Sequence, residues 1–179
     1  MSTVIERRLR RTAVAAVVSL GGFVGVCGAS DALGPQAQPN ACELFSRKDA
    51  RRIIGKAVRR ETNITGQKGS QCSYTAEKDA KRVVGLAVGE FASTDEASKA
   101  YTKARANAKF DGLEVENVRR LGKRAYWLPK TNNFERTILG EKLVLGELTV
   151  LTGRRIYTVN IAPPSKKKAR DAINLVIAD

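Results

Sequence analysis

The sequence predicts an α+β domain, an antiparallel sheet with helices packed on it, in the order α-β-β-α-β-β-β-β-α. Two observations carry this. Serine caps followed by apolar residues at helical spacing mark three helices, opening at Ser46, Ser93 and Ser165. Between them lie runs with period-two alternation, and the late runs are separated by turns too short for a crossover, so neighbouring strands must pair antiparallel.

In the first helix Ser46 caps with Asp49 three residues on, and Phe45 can staple onto Ala50. Ala50, Ile53, Ile54 and Ala57 form its apolar stripe, and Gly55 signals an early stop. The next predicted elements are strands over Gln71–Thr75 and Arg82–Phe91. In the second, Val84, Leu86 and Val88 share one face, while Gly85, Ala87 and Gly89 leave the other thin. A packed helix or a neighbouring backbone would account for that thin face. Ser93-Thr94-Asp95-Glu96 forms a full capping box for a second helix, with a small-residue stripe of Ala97, Ala100, Tyr101, Ala104 and Ala108.

Strands follow over Arg124–Leu128, Glu135–Leu139, Lys142–Leu151 and Arg154–Ile161. Turns are expected at Leu139-Gly140-Glu141 and at Thr152-Gly153. In Arg124–Leu128, alternation sends Tyr126 and Trp127 to opposite faces, with Trp127 expected in the core and Tyr126 at least partly exposed. The last helix follows Pro163-Pro164 and buries Ala169, Ala172, Ile173 and Val176.

The N-terminus reads as an export signal. Glu6-Arg7-Arg8-Leu9-Arg10-Arg11 is a positive n-region, and Ala13 to Val26 is an uncharged, mostly apolar run of 14 residues. A spanning helix needs about 20 apolar residues, so the run is short for a permanent anchor and suited to a cleaved signal. Cleavage after Ala29 or after Ala32 satisfies the small-x-small rule. Residues 1–32 are thus expected to be a signal peptide, 33–40 a linker and 41–179 a single exported domain. Cys27 either leaves with the signal or is a lipidation site. Val26, before it, is bulkier than a lipobox favours. The paired arginines lack the apolar residues that twin-arginine export expects after them, so ordinary secretion is favoured.

Three cysteines less Cys27 leave Cys42 and Cys72, an even number suited to an oxidising compartment. The chain has no histidine and the spacing is far from C-x-x-C, so a structural disulfide is favoured over a metal or redox pair. No cofactor is expected. The absence of histidine also removes the usual general base and the common nucleophile systems. Ser165-Lys166-Lys167-Lys168 matches the S-x-x-K pattern formally, without a partner motif elsewhere. Ser98 beside Lys99 and Ser70 near Lys68 are chance-level dyads.

The chain carries 32 basic and 18 acidic residues. Less the four arginines and two acids of residues 1–32, that leaves a net charge of about +12. Such a surface attracts anions. Its cations fall in short clusters: Arg51-Arg52, Arg59-Arg60, Lys103 with Arg105, Arg119-Arg120 with Lys123-Arg124, Arg154-Arg155, and Lys166-Lys167-Lys168 with Arg170. The three lysines occupy the first turn of the last helix, where the macrodipole opposes positive charge. That local conflict marks Lys166, Lys167, Lys168 and Arg170 as a candidate anion site. No nucleic-acid module with interleaved aromatics is present.

Ala41-Cys42-Glu43-Leu44-Phe45-Ser46, the helix ending Ile54-Gly55, Gln71-Cys72-Ser73-Tyr74 and Leu121-Gly122-Lys123-Arg124-Ala125-Tyr126-Trp127 together resemble a family of bacterial exported proteins of uncharacterised function. Many of those are lipoproteins of actinobacterial envelopes. They open with Cys-x-Leu-Leu-Thr and carry a Cys-x-Tyr strand and a Leu-Gly-x-x-Ala-x-Trp segment. The resemblance implies an exported ligand- or partner-binding domain and supplies no catalytic residues. The chain departs from the family in its lipobox and in its basic charge. The expected function is therefore a non-enzymatic exported binding or interaction protein of the envelope, periplasmic, extracellular or lipid-anchored. A polyanion-binding envelope protein (lipopolysaccharide, anionic lipid or DNA) and a small enzyme with an unrecognised site are the alternatives.

Overall fold

The computed structural model describes residues 39–66, 69–131, 136–138 and 141–177. The expected export signal, Cys27 and all of the expected linker before Pro39 lie outside the described residues. The elements are α1 (Ala41–Leu44), α2 (Arg47–Ile54), β1 (Val58–Gly66), β2 (Gly69–Ala76), β3 (Asp79–Glu90), α3 (Thr94–Phe110), β4 (Glu116–Val118), β5 (Arg124–Leu128), β6 (Arg136–Ile138), β7 (Glu141–Leu143), β8 (Gly146–Thr152), β9 (Arg155–Ala162) and α4 (Lys166–Ile177). Seven strands form one sheet in the order β1-β2-β3-β9-β8-β5-β4, and β6 and β7 pair separately. Every pairing is antiparallel, as the short turns require. The protein is an α+β fold.

The helix signals work through their expected chemistry. Asp49 N–H donates to Ser46 Oγ, and Asp49 Oδ2 accepts from Ser46 N–H at 3.0 Å, which closes the capping box of α2. Gly55 ends that helix in the left-handed region at φ 78°, a conformation that favours glycine. Ala57 therefore falls beyond the helix and is exposed, so it is not part of the apolar stripe. In α3 Ser93 Oγ accepts from Glu96 N–H. The Glu96 carboxylate reaches one residue further back than a full capping box would, to Ala92 N–H at 3.2 Å.

Two strands escape sequence patterning. β1, VRRETNITG, has no apolar period and exists as an edge strand through backbone pairing to β2. β4 has only three residues. The expected strand from Lys142 to Leu151 is divided into β7 and β8, with Val144 and Leu145 between them. The hairpin between β8 and β9 turns on Gly153-Arg154.

Alternation along the central strands builds two cores. On one face Val84, Leu86, Leu148, Val150, Val159, Ile161 and Trp127 pack with Ala50, Ile53 and Ile54 of α2 and Ala169, Ala172, Ile173 and Val176 of α4. On the other, Tyr126, Leu128 and Leu151 pack with Ala97, Tyr101 and Ala108 of α3. Each Leu or Ile fully buried this way contributes about 1.5–3 kcal/mol. Tyr126 and Trp127 do take opposite faces, yet both are buried, at 2% and 3% exposure. The expected exposure of Tyr126 is thus corrected, because α3 covers its face. The thin face of β3 has the backbone explanation: a Cβ on Gly85 would lie 3.3 Å from Ser73 Cβ and 3.5 Å from the Cys72 carbonyl oxygen. α3 itself rests on β8 and β9.

Cys42 and Cys72 are joined in a disulfide, with Cα atoms 5.1 Å apart and a sequence separation of 30. The bond ties α1 to β2. Around it, Ala41 N–H donates to Ser70 Oγ at 2.7 Å and the Tyr74 hydroxyl donates to the Phe45 carbonyl at 3.0 Å.

Candidate functional site

The residues singled out on α4 do not converge. Lys166 pairs with Glu116 of β4, and Lys167 pairs with Asp171 one turn on at 2.9 Å. Lys168 lies in a small recess with Arg82, Ile53 and Ile54, where its backbone N–H donates to Ser165 Oγ at 3.4 Å. Arg170 is partly buried. These ion pairs and the cap show how a helix start tolerates three lysines: carboxylates from β4 and from the next turn offset the unfavourable dipole. Ser165 acts as a helix cap within its S-x-x-K run. Ser98 Oγ accepts from Arg124, and Ser70 Oγ donates to the Pro39 carbonyl.

Two other basic clusters do meet. An open groove of about 510 Å³ runs between α3 and the loop joining β4 to β5. Its cations are Arg105 of α3, Arg119, Arg120 and Lys123 of the loop, and Arg124 at the start of β5. Among the described residues, no carboxylate lines it. Two other open grooves differ on this point: Glu77 lines the one with Arg47, Lys48 and Arg51, and Glu90 lines the one with Arg154 and Arg155.

The groove is built by strand parity and a tight loop. Alternation in β5 turns Arg124 to the same face as Tyr126, toward α3. Its guanidinium lies 4.9 Å from the centroid of the Tyr101 ring and donates to Ser98 Oγ, to the Ser98 carbonyl and to Thr102 Oγ1. Asn117 sits opposite Tyr126 in β4 and accepts from Arg105 at 2.9 Å. Both guanidiniums are therefore held by neutral partners, which fix their position and leave their charge uncompensated. Burial raises the pKa of the Tyr101 phenol, and Arg105 and Arg124 pull it partway back.

Arg119, Arg120 and Lys123 are exposed, and among the described residues they have no ion-pair partner. The loop that carries them is anchored at its middle. Leu121 plugs into the larger core, and Lys123 N–H donates to the Leu151 carbonyl at 2.8 Å. Gly122 is required there: at φ +57°, a Cβ would lie 2.6 Å from Val150 Cγ1 and 2.7 Å from the Leu151 oxygen. Arg120 also takes a left-handed conformation, at φ 57°. For a side chain other than glycine that costs about 1–2 kcal/mol, and such strain clusters at binding sites.

Glu147 of β8 is a separate titratable feature. It lies opposite Leu128 on the face that carries Tyr126. Burial pushes its carboxyl above the ordinary value of 4.5, and the Thr149 hydroxyl, donating at 3.1 Å, pulls it partway back. A carboxyl raised on folding favours the native state at pH below its unfolded value. That contribution is lost as pH climbs through the folded value. Glu147→Gln should thus raise the melting temperature at neutral pH and give no gain below about pH 4. Thermal melts across that range check it, and a pH-independent difference would contradict the assignment.

Among the described residues, no three His, Cys, Asp or Glu side chains gather as metal ligands, and no helix is long and apolar enough to cross a membrane. Compared with known proteins, the chain matches no family model and shows no significant similarity to a curated protein.

Sequence reasoning listed the clusters at Lys103/Arg105 and Arg119–Arg124 but did not join them. The available signal was the parity of Arg124 with Tyr126. It acquires meaning only once a helix is known to cover that face.

Proposed function

We propose that this chain is an exported, non-enzymatic binding protein of the bacterial envelope, and that its ligand carries phosphate- or sulfate-type anions bound in the α3/β4–β5 groove. The observation that carries this is five convergent cations with no lining carboxylate among the described residues, two of them fixed by neutral partners. Fixed guanidiniums bind tetrahedral anions with little ordering cost, and the three exposed cations add reach. Export is supported by the N-terminal sequence and by the Cys42–Cys72 disulfide, which belongs in an oxidising compartment. The mature protein is released, or held at the membrane through Cys27. Of the two non-catalytic readings of the sequence, the groove favours the anion-binding one.

Titration calorimetry with a short inorganic polyphosphate at low salt tests the reading. Binding should weaken steeply as salt rises, as expected for several phosphate contacts. The triple replacement Arg119→Glu, Arg120→Glu and Lys123→Glu should reduce affinity more than about tenfold, because exposed like charges repel the ligand. Its melting temperature should not fall, since these side chains are exposed and unpaired among the described residues. A triple variant that binds as tightly as the parent would overturn the groove assignment.

A further inference from the structure

We propose that the anions are presented by a lipid bilayer, and that Phe110 inserts among the lipids while the outer face of α3 lies on their headgroups. This rests on the anion-binding reading of the groove and names the surface that carries the anion.

Phe110 is 91% exposed, well above Ile64 at 48% and Val144 at 42%. It is displayed by a closed helix end. Leu113 N–H donates to the Ala108 carbonyl at 2.9 Å and Gly112 N–H to the Lys109 carbonyl at 3.0 Å, with Gly112 at φ 73°. This is the Schellman arrangement. Leu113 returns to pack in the same core as Ala108, so a neighbouring apolar residue closes the helix and Phe110 is held outward.

Helical spacing places Lys99, Lys103 and Phe110 along one line, opposite the buried stripe of Ala97, Tyr101 and Ala108. Lys99, Lys103 and Lys109 are all exposed. Arg105 of the groove lies five residues before Phe110, about 7.5 Å back along the axis. The acids of α3 sit at its ends, Asp95 and Glu96 in the first turn and Asp111 at the C-cap. An exposed aromatic at the end of a helix face that carries Lys99 and Lys103, with Lys109 beside it and a cationic groove alongside, matches the layering of a bilayer interface. Apolar chains lie beneath anionic headgroups there, and lysine stems reach up to the phosphates. A protein partner would instead be expected to meet a broader apolar patch.

The test uses the full chain carrying Phe110→Trp. The natural protein has one tryptophan, Trp127, which is buried, so the added emission reports position 110. On vesicles containing phosphatidylglycerol the emission should shift to the blue and be quenched by brominated lipid chains. With phosphatidylcholine alone, or with soluble polyphosphate, it should keep the spectrum of a water-exposed indole. Phe110→Ser should weaken vesicle binding by about tenfold or more while leaving polyphosphate affinity unchanged. If the groove triple variant loses vesicle binding but the added tryptophan stays water-exposed on the vesicles, insertion is overturned and the groove holds headgroup anions without Phe110 entering the bilayer. If the triple variant binds polyphosphate like the parent, the anion-binding reading itself fails.

Discussion

Replacing Cys42 and Cys72 together with alanine is expected to lower stability by about 3–4 kcal/mol, a fall in melting temperature on the order of 10 °C. The bond closes a loop between cysteines 30 positions apart, and its loss frees that loop in the unfolded chain. The expected effect is large because α1 has only four residues and no helical stability of its own. The hydrogen bonds from Ala41 N–H to Ser70 Oγ, from Ser70 Oγ to the Pro39 carbonyl and from the Tyr74 hydroxyl to the Phe45 carbonyl remain to hold the segment on β2. Chemical denaturation should show a lower midpoint for the double variant. A reducing agent should produce the same shift in the parent and none in the variant. A parent whose midpoint ignores reductant would contradict the stabilising role.

Tyr126→Ala and Trp127→Ala are each expected to cost about 3–5 kcal/mol. For Trp127 the reason is its burial among the strands under α2 and α4, where its ring also leaves no room for a Cβ on Gly146. For Tyr126 it is the second core, where its ring lies 5.3 Å from that of Tyr101. Comparable losses at adjacent positions of one strand are the signature of a sheet buried on both faces. If Tyr126→Ala costs under about 1 kcal/mol, α3 does not seal its face. Tyr126→Ala should also loosen the groove, since Tyr101 supports Arg124, so anion affinity should fall along with stability.

Much of the fold was legible because the relevant physics is local. Ser46 with Asp49, Ser93 with Glu96 and Ser165 after Pro163-Pro164 satisfy free backbone donors within a few residues, so their helix starts stand in the sequence itself. The stripe Ala169, Ala172, Ile173 and Val176 is likewise readable from spacing alone. β1 was not legible because its stability comes from backbone pairing at an edge, which leaves no apolar pattern. Ala57 was misjudged because a helical period can be continued on paper past a left-handed glycine that ends the helix in space.

The candidate site divides in the same way. Composition determined the positive field, the pairing of two cysteines and the shortage of conventional catalytic groups, since these depend on which residues exist. Which cations face one another depends on topology. α3 lies on β8 and β9, and β5 pairs beside β8, so Arg105 meets Arg119, Arg120, Lys123 and Arg124 across a groove. On α4 the same folding moves Lys166 against Glu116 and leaves Lys167 with Asp171, so the most conspicuous run of lysines is divided among carboxylates. Charge is a property of the chain. Its convergence or neutralisation is set by distances of a few ångströms between segments far apart in sequence, and only tertiary packing decides those.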